Sequence, residues 1–200
     1  MKKFNSTELL DQLQSDVRQM ILRVNQLKSA DPGFLLEQPA PGKWSVVEVL
    51  EHLNSYTTYY LVAIENSLKN GKPAREIYKP GFIGDYFTKL MQPTERGEVK
   101  NKMKSPKNHR PARHLDSAPV IKTFLEHQHR LLDLLEQAKS VDIGGIKTPI
   151  TISRFIKLKT GDVLRFLIAH EQRHFVQIEN ALTAISGFRS GKYPAALPVV

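Results

Sequence analysis

The stretch LRFLIAHEQRHFVQI, residues 164–178, decides the fold. Its apolar positions recur every three or four residues, and the stripe continues beyond it on both sides. Val163, Leu167, His170, His174, Ile178, Ala181 and Ile185 fall on one side of a helix over about 160–187. Two members of that stripe are imidazoles. Residues four apart stand about 6 Å from each other on one helical face, so His170 and His174 point together toward whatever the helix packs against. A core face that spends two positions on histidine needs a reason, and the rest of the chain has to supply the surfaces they meet.

Three other stretches have the same period. Leu10, Leu13, Val17, Met20, Val24 and Leu27 mark a helix over about 6–29, with Asn5 or Ser6 as its N-cap and ADPG at 30–33 ending it. Ser45 and Glu48 form a capping-box pattern that opens a second helix over about 45–69, with Val49, Leu53, Tyr56, Tyr60 and Ile64 inward. A third, about 117–139, carries Val120, Ile121, Phe124, Leu125, Leu131, Leu132 and Leu135. Gly187 is expected just past the last helix. Nearly fifty residues, with six prolines from Pro73 to Pro119, separate helices two and three. A link that long can run the length of a bundle and return the chain in the same direction. The expectation is a single all-α domain over 1–200, a four-helix bundle of up-down-down-up topology with a long crossover. IKTPITI at 146–152 can be extended but has no evident partner strand.

Composition narrows the function. The chain has no cysteine, so disulfides, thiolate nucleophiles and thiolate metal ligands are all excluded, and any metal must be held by nitrogen and oxygen. The N-terminus has two lysines but no apolar run behind them, and no apolar run is long enough to span a bilayer, which makes the cytoplasm the expected location. Net charge is +9, and residues 96–114 hold seven Lys/Arg against one Glu. A charge run of this kind is ordinarily a solvated loop. No aromatic side chain is interleaved there to stack on bases, so nucleic acid is not the expected partner; solubility or steering of an anionic substrate is the reading retained for the loop.

His170 and His174 need at least one more ligand to hold a metal, since catalytic zinc takes about three protein ligands and an open position. His52, between Val49 and Tyr56 on the inner side of helix two, is the candidate third ligand. Imidazole suits zinc, nickel, copper and iron alike, so the pattern does not choose the ion. The plainer alternative is that these are hydrogen-bonded core histidines with no ion. His109 and His114 are expected at the surface of the basic loop, His129 on the polar side of helix three, and His127 half-buried beside it. Glu126-x-x-His129 and Glu171-x-x-His174 match a di-iron pattern, but that site needs a Glu from each remaining helix and is not supported. Glu48 is expected as a capping acid, Tyr56 and Tyr59 as packing, Glu171 and Gln177 as solvated, and Trp44 as a staple at the start of helix two. No catalytic residue is assigned.

PGKWSVVEVLEHLN (41–54), KSPKNHRPA (104–112) and GDVLRFLIAHEQRHFVQI (161–178) together resemble the DinB/YfiT-like superfamily, nearest its DinB-like branch. The resemblance implies an up-down-down-up four-helix bundle, often a homodimer, with a divalent metal, nickel or zinc, on three histidines that correspond to His52, His170 and His174. Relatives of this kind include transferases that use a low-molecular-weight thiol and metal-dependent hydrolases. The resemblance thus implies a metal-dependent enzyme with a small-molecule substrate, a low-molecular-weight thiol among the choices; the alternative is a non-catalytic metal-binding or stress-associated bundle. If helices two and four were antiparallel with flush ends, His52 and His174 would differ in depth by about 10 Å at 1.5 Å per residue, too far for one ion, so the three-histidine reading needs helix ends displaced by a few residues or a helix four that overhangs.

Overall fold

A computed structural model describes residues 2–69, 71–94, 97–99, 103–112, 114–151 and 153–188. Among these the chain is mostly helical, with six α-helices. The four long ones are those the apolar period marks: α1 (Ser6–Leu27), α3 (Val46–Leu68), α5 (Ser117–Ala138) and α6 (Thr160–Phe188). Two short ones, α2 (Pro32–Leu36) and α4 (Phe82–Met91), lie in the connections.

Local chemistry sets the ends. Asn5 accepts from the amides of Thr7 and Glu8 at the start of α1. Ser45 and Glu48 close both arms of the capping box: the Glu48 amide donates to Ser45 Oγ at 3.2 Å and the Ser45 amide to Glu48 Oε2 at 2.7 Å. That box fixes where α3 begins, and so how deep His52 sits. Asp31 caps α2, whose second residue is Gly33 and whose Phe34 and Leu35 are buried. Gly187 falls inside α6 rather than past it, because the helix continues to Phe188.

Paired contacts give the helix directions. Asn54 donates to the Val120 carbonyl, and farther along both helices Glu65 pairs with Arg130, so α3 and α5 run side by side in one direction. Asp11 with Lys139 and Gln14 with Glu136 set α1 against α5 in opposite directions. Phe124 against Phe175, then Gln128 against Glu171, do the same for α5 and α6. Between them lies one core, with Val17, Val24, Leu53, Ile64, Phe124, Leu131, Leu135, Leu167 and Ile178 essentially inaccessible.

The chain is not purely helical, which corrects the all-α expectation. β1 (Phe4–Asn5) pairs antiparallel with β2 (Ile77–Tyr78), and β3 (Lys147–Ile150) pairs antiparallel with β4 (Ser153–Lys159). The extended segment at 146–152 therefore has a partner, the strand that follows it; Ile152 itself lies outside the described residues. β4 passes straight into α6 at Thr160, whose hydroxyl meets that of Thr148 at 2.9 Å.

The long crossover is pinned along its course. α4 packs on α6 through small and polar groups: Gly84, Asp85 and Thr88 are buried, while Phe82, Ile83 and Tyr86 face out. A methyl group at Gly84 would stand 2.3 Å from Asp162 Cβ, so only glycine permits this approach. Arg165 of α6 reaches Asp85 at 3.0 Å, and Asp162 accepts from the Tyr78 hydroxyl and the Gly81 amide. The crossover then passes over α3 through a 3-10 turn, Lys107–His109. Of the basic segment, Arg96, Lys100, Asn101, Lys102 and Arg113 lie outside the described residues, as do residues 189–200.

Candidate metal centre

Three histidines from two helices meet at one end of the core. His52 stands in the second turn of α3; His170 and His174 stand midway along α6. α6 continues well past His174 to Phe188, and this overhang removes the mismatch in depth that flush antiparallel helices would impose. The ring centroids of His52 lie 5.4 Å from His170 and 4.6 Å from His174, and His170 and His174 are 4.6 Å apart. One nitrogen from each ring can be chosen so that all lie within 4.8 Å of one another.

Hydrogen bonds on the far side of two rings orient them. His52 Nδ1 lies 2.6 Å from the main-chain carbonyl of His109, and His174 Nδ1 lies 2.9 Å from Gln177 Oε1. A carbonyl can only accept, so each Nδ1 carries the hydrogen and each Nε2 is left with its lone pair. His174 Nε2 is 3.2 Å from His170 Nε2. Two nitrogens bound to one tetrahedral ion at about 2.05 Å would be about 3.3 Å apart. No donor among the described residues reaches His52 Nε2, and His170 Nδ1 is buried without a partner.

The electrostatics keep these rings neutral. Burial pushes all three imidazoles below their usual range: His52 is lowered, His170 well lowered with its two neighbours adding to the effect, and His174 is pushed down to about 3. A neutral imidazole is the form that ligates a metal, so no proton has to be displaced at neutral pH. The donor set, the fixed ring hydrogens and the nitrogen spacing fit a borderline divalent ion, and the three residues are those the sequence singles out.

Several neighbours were not legible in the sequence. His109, expected at the surface, is 8% exposed. Its ring stacks on Tyr56 at 3.8 Å and its Nδ1 meets Ser55 Oγ at 3.0 Å, while Ser55 itself donates to the His52 carbonyl. Gln177 is not merely solvated, since it holds His174. Glu171 is fully buried next to His170 on α6, turned about 100° around the helix axis, where it accepts from Thr57 and Gln128. Burial raises its carboxyl to about 7 against those two hydrogen bonds. Its position on α6 looked polar because the partners that bury it, Thr57 and Gln128, are themselves polar. Trp44, the residue before the Ser45 cap of α3, packs against the core, stands 5.0 Å from the His52 ring and lines the cleft. The remaining histidines stay away: His114 and His129 are exposed, and His127 is half-buried beside Glu126 and Arg130. Glu126 is exposed and pairs with Lys122, which leaves the di-iron pattern without a site.

A cleft of about 240 Å³ opens onto the three rings between α3, α6 and the crossover. A family model described as the DinB superfamily matches residues 15–178, a span that takes in all three histidines and the crossover. The chain belongs to the DinB superfamily. No curated protein matches it. A solved structure to which this DinB superfamily chain is similar is YfiT from Bacillus subtilis, described as a probable metal-dependent hydrolase with an unusual four-helix bundle topology; identity is 15%, with 92% of this chain and 85% of that one covered and a TM-score of 0.43. The strand Phe4–Asn5 and the last turns of α6 lie outside the family match.

Proposed function

We infer that this DinB superfamily chain is a metal-dependent enzyme. His52, His170 and His174 hold one divalent ion, zinc or nickel, and the cleft side is left for a small-molecule substrate. The observation that carries the reading is the pair of Nδ1 hydrogens spent on His109 O and Gln177 Oε1, which leaves Nε2 lone pairs converging on one point. His52 Nε2 has no protein partner among the described residues, and the Nε2 atoms of His170 and His174 face each other at 3.2 Å.

A divalent ion held there polarises a substrate carbonyl or stabilises a substrate thiol as thiolate, which supports hydrolysis or transfer involving a low-molecular-weight thiol. The chain's own contribution is positional. Tyr56 lines the cleft with its phenol held protonated by burial, in place to donate a hydrogen bond to a substrate oxygen. Trp44 and the 103–106 segment form the sides of the cleft.

The helix pairings support the up-down-down-up course. The homodimer and the cytoplasmic location belong to the same reading: Phe82, Ile83 and Tyr86 form an exposed apolar face on α4, and no helix among the described residues is long and apolar enough to cross a membrane.

The deciding experiment uses protein purified without nickel-column contact. Elemental analysis is expected to find about one divalent ion per chain. The loaded protein is then assayed on activated esters and amides, and on small thiols with electrophiles, beside His170→Ala. Turnover that disappears in the variant supports the enzyme. A loaded protein inert in every assay would leave the non-catalytic metal-binding bundle.

A further inference from the structure

The charged side chains that line the cleft are Lys43, Lys104 and Arg173, and all three are cationic. No carboxylate among the described residues lines it. Glu48, four residues from both Trp44 and His52, is turned away: it binds the Ser45 amide at 2.7 Å and the Gln38 amide group at 3.1 Å, and Glu171 is held by Thr57 and Gln128. Arg173 comes from α6 between the two histidines and is 8% exposed, so its guanidinium sits partly out of water. Lys43 and Lys104 are exposed on either side of the mouth, one before α3 and one on the crossover. Trp44, Met91 and Met103 add apolar surface to the wall, beside the neutral polar groups of Tyr56, Ser105 and Gln177. The volume, about 240 Å³, is below the range of about 300–1,000 Å³ for sites of drug-sized ligands.

We propose that the substrate of this site is a small organic anion, with one donor group facing the three imidazoles and a carboxylate or phosphate tail held by Lys43, Lys104 and Arg173. The inference rests on the metal-site reading above and goes beyond it by naming the charge class of the substrate. Three cations from separate segments, α6, the lead-in to α3 and the crossover, converge on one small opening, whereas a solvated surface would intersperse acids among them. An anionic tail gains charge-assisted hydrogen bonds from the buried guanidinium and weaker, salt-screened attraction from the two lysines.

Trp44 is the chain's single tryptophan and lines the cleft, so its fluorescence reports occupancy. The zinc-loaded full chain is titrated with succinic acid monohydroxamate and with the corresponding hydroxamate whose carboxylate is replaced by a carboxamide. Both carry the same metal-binding head. The anionic probe is expected to bind about tenfold or more tightly, with the preference shrinking as salt rises. The double variant Lys43→Gln, Lys104→Gln should keep the zinc affinity and the affinity for the neutral probe while losing the salt-dependent part of the preference. Equal affinities, or tighter binding of the neutral probe, would overturn the anionic substrate and leave the ion site standing. Failure of the chain to bind zinc would overturn the metal reading, and this inference with it.

Discussion

The ring of His52 donates its Nδ1 hydrogen to the main-chain carbonyl of His109 at 2.6 Å. A residue of the crossover thereby sets the tautomer of an inner imidazole on α3, and it does so with backbone, so the side chain at 109 is not what makes the bond. Partners of this kind tune affinity by about 10–100-fold in metal sites generally.

His174 depends on a side chain for the same service. Gln177→Leu removes the acceptor at 2.9 Å, and the imidazole loses both its orientation and its fixed hydrogen. Zinc affinity, read by competition with a chromophoric chelator, should fall about 10–100-fold with the far-ultraviolet circular dichroism unchanged. An unchanged affinity would show that Gln177 does not orient the ring.

Removing a ligand should cost far more than removing its support. His170→Ala leaves two imidazoles, which do not define a coordination shell, and most of the zinc or nickel affinity should be lost. His129→Ala should cost almost none, since that residue is exposed and, among the described residues, bonds only to the Leu125 carbonyl. An ion that binds the folded chain stabilises it by mass action. A chelator should therefore lower the melting temperature of the parent and leave that of the triple His→Ala variant where it was.

Asp85 offers a pH test away from the site. Hydrogen bonding from Lys89, then from Arg165, holds its carboxyl below the usual range, against the effect of burial. A depressed folded value means the stabilisation is fully present above the unfolded value of about 3.9 and is lost as pH falls through the folded one. Asp85→Asn leaves the buried Arg165 without its charge partner and should cost about 3 kcal/mol near pH 7. The gap in thermal stability between parent and variant should close below about pH 4. A gap that stays constant with pH would place the loss in packing rather than charge.

Gly84→Ala tests how α4 is docked. The added methyl would meet Asp162 Cβ and Cγ at 2.3 Å, so α4 must shift away from α6. Overpacking of this kind costs about 1–3 kcal/mol, visible as a lowered denaturation midpoint. Because α4 ends at Met91, which lines the cleft, the variant should also change the Trp44 emission.

The four long helices were legible because their buried faces are apolar at helical spacing, and the capping box at Ser45 and Glu48 located α3 to the residue. α4 was not, because it inverts the rule. Its buried residues include Gly84, Asp85 and Thr88, and its apolar Phe82, Ile83 and Tyr86 face out. β4 was hidden because it runs into α6 without a turn, leaving no punctuation between a strand period and a helix period. His52, His170 and His174 could be picked out by their places on apolar stripes. His109 could not, because it sits in a basic loop and is buried by ring stacking on Tyr56, a contact between residues of different segments that no local pattern announces. Glu171 was misread for a related reason: the partners that bury it, Thr57 and Gln128, are polar themselves.

The site is gathered from three remote parts of the chain. Thr57 and Glu171, which join α3 to α6 just behind the histidines, are 114 residues apart in sequence. Contacts of such long range form late, because the loop they close must be ordered first. Before then the chain offers only the HxxxH pair of α6, two donors without His52 or the carbonyl that steadies it. Capture of the ion is thus expected to be among the last events of folding, so that a nascent or partly unfolded chain competes poorly for metal while the finished one retains it.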